Sequence, residues 1–292
     1  MQNKRSIGTQ FFIFINTVVL ILFSLLCFLP FWNIFISSFA TTVTIIHNPF
    51  LLIPKEISFD GYKYIFSSGT LLRSIRVSSF VTIIGTFINI FLTALTAYPL
   101  SRKQVKGKST IQFCIVFTML FSGGMIPTFL VVKATGLFNS LWSLIIPTAI
   151  SAFNLVIMKN FFDQVPVELE ESAKIDGCND FSIWFRIILP VSTAVLATLT
   201  LFYGVSNWNN YFNALIYIND SNKWTVQIVL RQVVAMANGG IGDLSQMDPD
   251  FVVPSKTVQM GTIIIATLPI IIIYPFAQKY FVKGALLGSV KG

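Results

Sequence analysis

Residues 168–190 read ELEESAKIDGCNDFSIWFRIILP, and five of the chain's twelve acidic residues fall there: Glu168, Glu170, Glu171, Asp176 and Asp180. The stretch reads as two short helices joined by a tight turn. Pro166 suits a helix's first turn, where its missing N–H costs nothing. Three glutamates follow near the N-terminus, where negative charge complements the helix dipole. Leu169, Ser172, Ala173 and Asp176 recur at i, i+3, i+4 and i+7, which makes one mostly small face. Gly177 supplies the left-handed residue that commonly ends a helix. Asp180 is placed to cap the second helix, with Phe181, Trp184, Phe185 and Ile188 on its apolar face.

The surroundings of this acidic stretch are of another kind. The chain has 292 residues, 54% of them hydrophobic and 11% charged, with a mean hydropathy of +0.75. A soluble domain carries about a quarter charged residues. Charge-free runs cover 6–54, 77–101, 109–132, 134–158, 187–219 and 257–278. Each is as long as the roughly 20 residues that cross a bilayer's hydrocarbon. The expectation is an all-α membrane protein with one transmembrane domain over 1–292 and six spans, at about 11–36, 77–100, 109–131, 141–161, 187–208 and 258–281. Lys4 and Arg5 precede the first run, as in a signal peptide. Its apolar core, about 11–36, is longer than an h-region of roughly 7–15 residues, and no small-x-small cleavage site closes it. It reads as a retained helix.

Net charge is +8, which in a membrane protein asks which side is positive. With both termini inside, twelve of the twenty Lys and Arg residues face the cytoplasm, and the densest cluster, SRKQVKGKS at 101–109, joins spans 2 and 3 there. The topology expected is N-in/C-in, with 162–186 a cytoplasmic loop. Residues 37–73 and 209–257, including the Gly-rich MANGGIGD, then lie outside.

Gly107-Lys108-Ser109 resembles part of a phosphate-binding loop. Such a loop needs a glycine five residues before its Gly-Lys, and that position is Arg102. Cys27 and Cys114 fall inside spans and Cys178 in the acidic loop, a pattern of small buried hydrophobes rather than of disulfides or a metal site. The single histidine, His47, lies in a loop. For the acidic helix, resting on the bilayer is disfavoured, since interfacial helices use Lys and Arg. Docking in a groove of another protein is favoured, and its small residues permit close approach.

At these residues the sequence resembles the permease subunits of ATP-binding-cassette importers. Their cytoplasmic signature is Glu-Ala-Ala, three residues, Gly, nine residues, then Ile-x-Leu-Pro. Here Glu171-Ser172-Ala173 leads to Gly177, and nine residues further to Ile187, Leu189 and Pro190. The single departure is Ser172. FSGGMIPTFLVVKATGLFNSLWSLIIP, WNNYFNALIYINDSNKWTVQIVLRQVV and the ending YFVKGALLGSVKG extend the likeness to carbohydrate importers of the maltose type, and to a Gram-positive branch that takes up oligosaccharides and polysaccharide fragments. The resemblance implies the type I importer permease fold in the bacterial cytoplasmic membrane. It implies a second homologous permease, two ATPase subunits that hold ATP and magnesium, an extracytoplasmic solute-binding lipoprotein, and a carbohydrate, neutral or acidic. It implies no catalytic residue and no cofactor or metal in this chain. Leu169, Glu171, Ser172, Ala173, Asp176 and Gly177 become the coupling helix that seats in an ATPase cleft and moves as a lever.

Polar side chains within spans face a pathway or a neighbouring helix. Asn89, Thr93, Thr96, Ser122, Asn154 and Asn207 are the candidates for a sugar pathway. Trp208 and Tyr211 are suited to stacking on sugar rings or to the interfacial aromatic belt. The rival function is a self-contained secondary transporter or channel. Such carriers couple through an intramembrane ionisable residue, and the six expected span interiors hold no Asp, Glu, Lys or Arg.

Overall fold

In the computed structural model, which describes residues 7–54, 56–102, 104–237 and 255–289, every regular element is helical. MANGGIGD falls mostly outside these residues, as do Lys103 and the last three residues. By packing, the chain divides into two units.

The first unit takes in residues up to Ser68, the end of α13 and the start of α14. Helix α1, Ile7–Ser37, is apolar all round, and its most hydrophobic window buries none of its surface within the chain. That is the profile of a helix facing lipid or a partner, not of a core helix. The chain then turns back on α1: Trp32 Nε1 donates to the Leu52 carbonyl at 3.0 Å and Asn33 Nδ2 to Leu51 at 3.2 Å. Thr41 caps the short α2, Thr42–His47, by accepting the Thr44 N–H. Helix α3, Asp60–Ser67, follows. Thr257 donates to the Ala40 carbonyl at 3.0 Å, tying this turn to the long C-terminal helix.

The second unit is built on α4, Gly69–Ser101, which is apolar and 33 residues long. Helix α5, Lys108–Leu120, and α6, Met125–Ala134, are bent by 115° where Phe-Ser-Gly-Gly interrupts them, with Gly124 at φ +86°. Apolar composition alone carries span 3 straight through this break; the paired glycines are the signal that it stops. A single 3₁₀ turn, Leu141–Leu144, and an irregular stretch precede α7, Ala152–Phe162, so only the second half of 141–161 is α-helix. The acidic segment contributes α8, Glu168–Ile175; α9, Asp180–Ile183; a π turn at Trp184–Ile188; and α10, Leu189–Val191. Helix α11, Thr193–Trp208, leaves this segment at 84°. Helices α12, Phe212–Tyr217, and α13, Val226–Ala237, precede α14, Lys256–Ser289. Among the described residues, three helices, α1, α4 and Lys256–Pro275, are long and apolar enough to cross a bilayer. The total is five if each bent pair is one span.

Helix α4 packs against α7 and α11, and the seam is polar. Thr86, Asn89 and Thr93 lie along one side of it, all buried. Asn89 Nδ2 donates to two successive carbonyls, Thr148 and Ala149, each at 2.9 Å. These carbonyls belong to the irregular stretch before α7, which has no helical partners to offer them. The Tyr203 hydroxyl accepts the Ser151 N–H at 3.0 Å and shares a hydrogen bond of 2.7 Å with Thr93. Gly85 permits the seam: a Cβ there would lie 2.9 Å from Asn207 Nδ2.

Candidate coupling arm and transport cavity

Helix α8 starts at Glu168 with Val167 as its N-cap, so Pro166 stands just ahead of the helix rather than in its first turn. Its end follows expectation. Gly177 has φ +80°, its N–H bonds to the Lys174 carbonyl at 3.0 Å, and Cys178 N–H bonds to Ala173 at 2.9 Å. This pair of bonds is the Schellman motif. The second helix is capped by Asn179, whose Oδ1 accepts the Ser182 N–H at 2.8 Å, and not by Asp180, which occupies the first helical position. The π turn shifts the register beyond it. Trp184 and Ile188 are buried while Phe181 and Phe185 are each 60% exposed.

Of the α8 residues, Glu170 and Ala173 are buried. Ala173 joins Phe162, Ile183 and Trp184 in the core of this chain, so it faces inward and not towards a partner. Leu169, Glu171, Ser172, Asp176 and Gly177 are all exposed. Val167 and Ile175 flank them, with Ile175 86% exposed. Glu170 pairs with Arg102, the residue after α4, and both side chains are largely buried. Asp163 holds Lys159 at 2.5 Å and Lys108 at 4.0 Å. Arg102, Lys108, Asp163 and Glu170 line a crevice of about 950 Å³ beside the arm. Glu170, Arg102 and Trp184 are the residues that sequence reasoning left out of the site. Nothing local marks Glu170 out from the glutamates beside it, because its partner is far away in the chain.

The pathway candidates divide. Asn89 and Thr93 are consumed by the buried seam, and Thr96 bonds to its own helix at the Leu92 carbonyl. Asn154, Asn207 and Tyr211 come together on an open cavity of about 520 Å³ between the start of α7 and the end of α11. Trp208 faces a separate apolar cavity with Pro269 and Ile273. Ser122 sits exposed in the break between α5 and α6, away from the others. The polar cavity also gathers Asn209, Asn210, Asn213 and Phe212, with no charged residue in its lining. The run NWNNYFN at 207–213 is the sequence signal for it. Asparagine amides offer paired donors and acceptors and tyrosine a flat face, the chemistry that matches sugar hydroxyls and rings. Arg231 on α13 lies over the Tyr211 ring, 5.2 Å from its centroid.

Residues 74–286 match the family described as "Binding-protein-dependent transport system inner membrane component". The polygalacturonan/rhamnogalacturonan transport system permease protein YtcP of Bacillus subtilis (strain 168) is 54% identical, covering 94% of this chain and 96% of its own. Protein LplC of the same organism is 51% identical over 90% of this chain and 89% of its own. A solved bacterial ABC transporter involved in import of the acidic polysaccharide alginate matches with a TM-score of 0.87 and 29% identity, over 96% of this chain and 100% of that one. The match decides against a self-contained carrier and against an enzyme. The chain belongs to the inner membrane components of binding-protein-dependent transport systems, as a multi-pass permease subunit of the ABC transporter type.

Proposed function

We propose that this chain is one of two permease subunits of an ATP-driven importer for an acidic oligosaccharide. Six spans cross the membrane, with both termini in the cytoplasm; α5–α6 and α10–α11 each form one bent span, and the 3₁₀ turn with α7 forms another. Helix α8 seats in a partner ATPase through Leu169, Glu171, Ser172, Asp176 and Gly177. ATP-driven closure of the ATPases moves α8, and the pathway opens outward to receive sugar from the binding protein. Asn154, Asn207 and Tyr211 line that pathway.

The observation that carries the coupling role is α8 itself. Two inward residues fix it to the chain while acidic and apolar side chains face out on a helix eight residues long. The acidic substrate is supported by the relatives, named for galacturonan and for alginate transport, and by Arg231 stacked on the cavity's tyrosine. Gentle purification from native membranes, with mass spectrometry of what accompanies the chain, tests the assembly. A second permease, an ATPase and a solute-binding lipoprotein are expected, and uptake of labelled galacturonate oligomers by the reconstituted complex is expected to require ATP. Recovery of the chain alone would refute it.

A further inference from the structure

Of the five acids in the coupling segment, Glu170 alone is withdrawn from solvent, its side chain 6% exposed and paired with Arg102 at 17%. Arg102 is itself held in place. Its guanidinium lies 4.9 Å from the centre of the Tyr98 ring, and Nη1 reaches the Phe162 carbonyl at 3.4 Å. We infer that the Arg102–Glu170 ion pair is the strut that carries motion of α8 into α4, with both residues acting as positioning groups for transport. The inference rests on the coupling role proposed above and adds the route the force takes.

The route follows from what else joins α8 to the unit. Towards the N-terminus it is continuous only with α7. Towards the C-terminus the chain passes a glycine-ended turn, a four-residue helix, the π turn and an 84° bend before reaching α11. A π turn interrupts the regular i→i−4 ladder and is one of the places where helices kink, so that path is compliant. Helix α4 is the element against which both α7 and α11 pack, yet no short covalent link joins it to α8. The ion pair supplies a direct non-covalent contact between them. Largely buried, with the guanidinium braced by the Phe162 carbonyl and the Tyr98 ring, it is stiffer than an exposed pair, which solvent would loosen. Ala173, one turn along the same side of α8, packs on Trp184 and Phe162 and keeps Glu170 facing Arg102. Displacement of α8 therefore moves the end of α4 in step with it, while α11, joined to α8 only through the compliant path, shifts relative to both.

The test uses the complete complex of both permeases, ATPases and binding protein in proteoliposomes, reading sugar imported per ATP hydrolysed. Glu170→Gln keeps the side chain's volume and removes the charge. The ratio is expected to fall about fivefold or more, within the usual range of coupling free energies. The exchanged pair, Arg102→Glu with Glu170→Arg, is expected to restore it. A ratio for Glu170→Gln near that of the unaltered complex overturns the strut, and so does an exchanged pair as uncoupled as the single changes. A second measurement does not depend on charge variants surviving in the membrane. Spin labels at 168 and 104, in a chain freed of its own cysteines, are expected to keep their separation between nucleotide-free and ATP-locked complexes, while labels at 168 and 200 change theirs. Equal changes in both pairs overturn the strut. If the unaltered complex shows no ATP-driven uptake at all, it is the proposed function that fails.

Discussion

Asn207 on α11 donates from Nδ2 to Oδ1 of Asn89 on α4 at 2.9 Å, and both side chains are buried. Asn89 thereby spends its oxygen on one helix and its nitrogen on the carbonyls of Thr148 and Ala149. It is a splice for a broken helix more than a sugar ligand.

Asn89→Ala is therefore expected to destabilise the chain. It removes the partner of two part-buried carbonyls and leaves the Asn207 amide only Thr86 Oγ1, at 3.2 Å, a loss of about 1–3 kcal/mol where the groups stay unpaired. Thermal unfolding of the purified chain should show a midpoint lowered by several degrees. A raised KM for sugar with an unchanged midpoint would instead make Asn89 a substrate contact.

Gly177 separates strain from contact. A Cβ at this position meets no described atom within 4 Å, so the chain itself has room for a side chain. The left-handed φ of +80° charges any L-residue about 1–2 kcal/mol, the same for Ala as for Arg. Gly177→Ala is then expected to retain most uptake, whereas Gly177→Arg remains in the membrane and imports nothing. Any difference between the two arises from a body outside this chain, which the proposed coupling role says is the ATPase. Normal uptake by Gly177→Arg would remove that role.

The acidic segment was legible in sequence where its cues are local. The left-handed Gly177, the helix before it and the turn after it each depend on residues within a few positions, and the structure forms all three. Glu170 was illegible because its environment is made by Arg102 and Tyr98 at the end of another helix. Phe181, Trp184, Phe185 and Ile188 were placed on one apolar face, but only Trp184 and Ile188, at the two ends of the π turn, are buried. Polarity within an apolar run marked Asn89 and Asn207 equally. Only the fold shows that Asn89 serves backbone while Asn207 also borders the polar cavity. Hydropathy follows apolar content and passes over backbone breaks, which is why the bends at 121–124 and before α7 were read through.

A second polar node sits at Asn139, the one described non-glycine residue with positive φ, at 58°. Its Oδ1 accepts the N–H groups of Asn219 and Asp220 at 3.1 and 3.0 Å, and its carbonyl accepts Lys223 Nζ at 2.8 Å. Asn139→Gly keeps the backbone and loses the side-chain bonds; Asn139→Ala loses the bonds and adds the left-handed strain. Melting should rank the unaltered chain above Gly, and Gly above Ala by about 1 kcal/mol. Asp220 belongs to the same node. The Asn222 N–H, with Lys223 nearby, holds its carboxyl below the usual carboxylate range. A lowered folded value means that its contribution is present above the unfolded pKa of about 4 and fades as pH falls through the folded one. Asp220→Asn should therefore flatten the acid limb of the melting profile and leave pH 7–9 flat in both proteins.

Arg231 offers the sharpest discrimination of substrate charge. The cavity lining is uncharged, so it suits neutral sugar hydroxyls and uronic acids alike in every contact but one. The guanidinium over Tyr211 gives a carboxylate a partner that a neutral sugar cannot use. A charge-assisted hydrogen bond is worth about 1.5–3 kcal/mol, roughly tenfold or more in apparent affinity. Arg231→Gln is therefore expected to raise the KM for a galacturonate oligomer about tenfold in reconstituted uptake, and to leave its methyl ester nearly unchanged if that ester is carried at all. The loss should shrink in high salt, because an exposed cation is screened. Equal losses for acid and ester would show that Arg231 only steadies Tyr211, and the acidic substrate would lose its support within this chain.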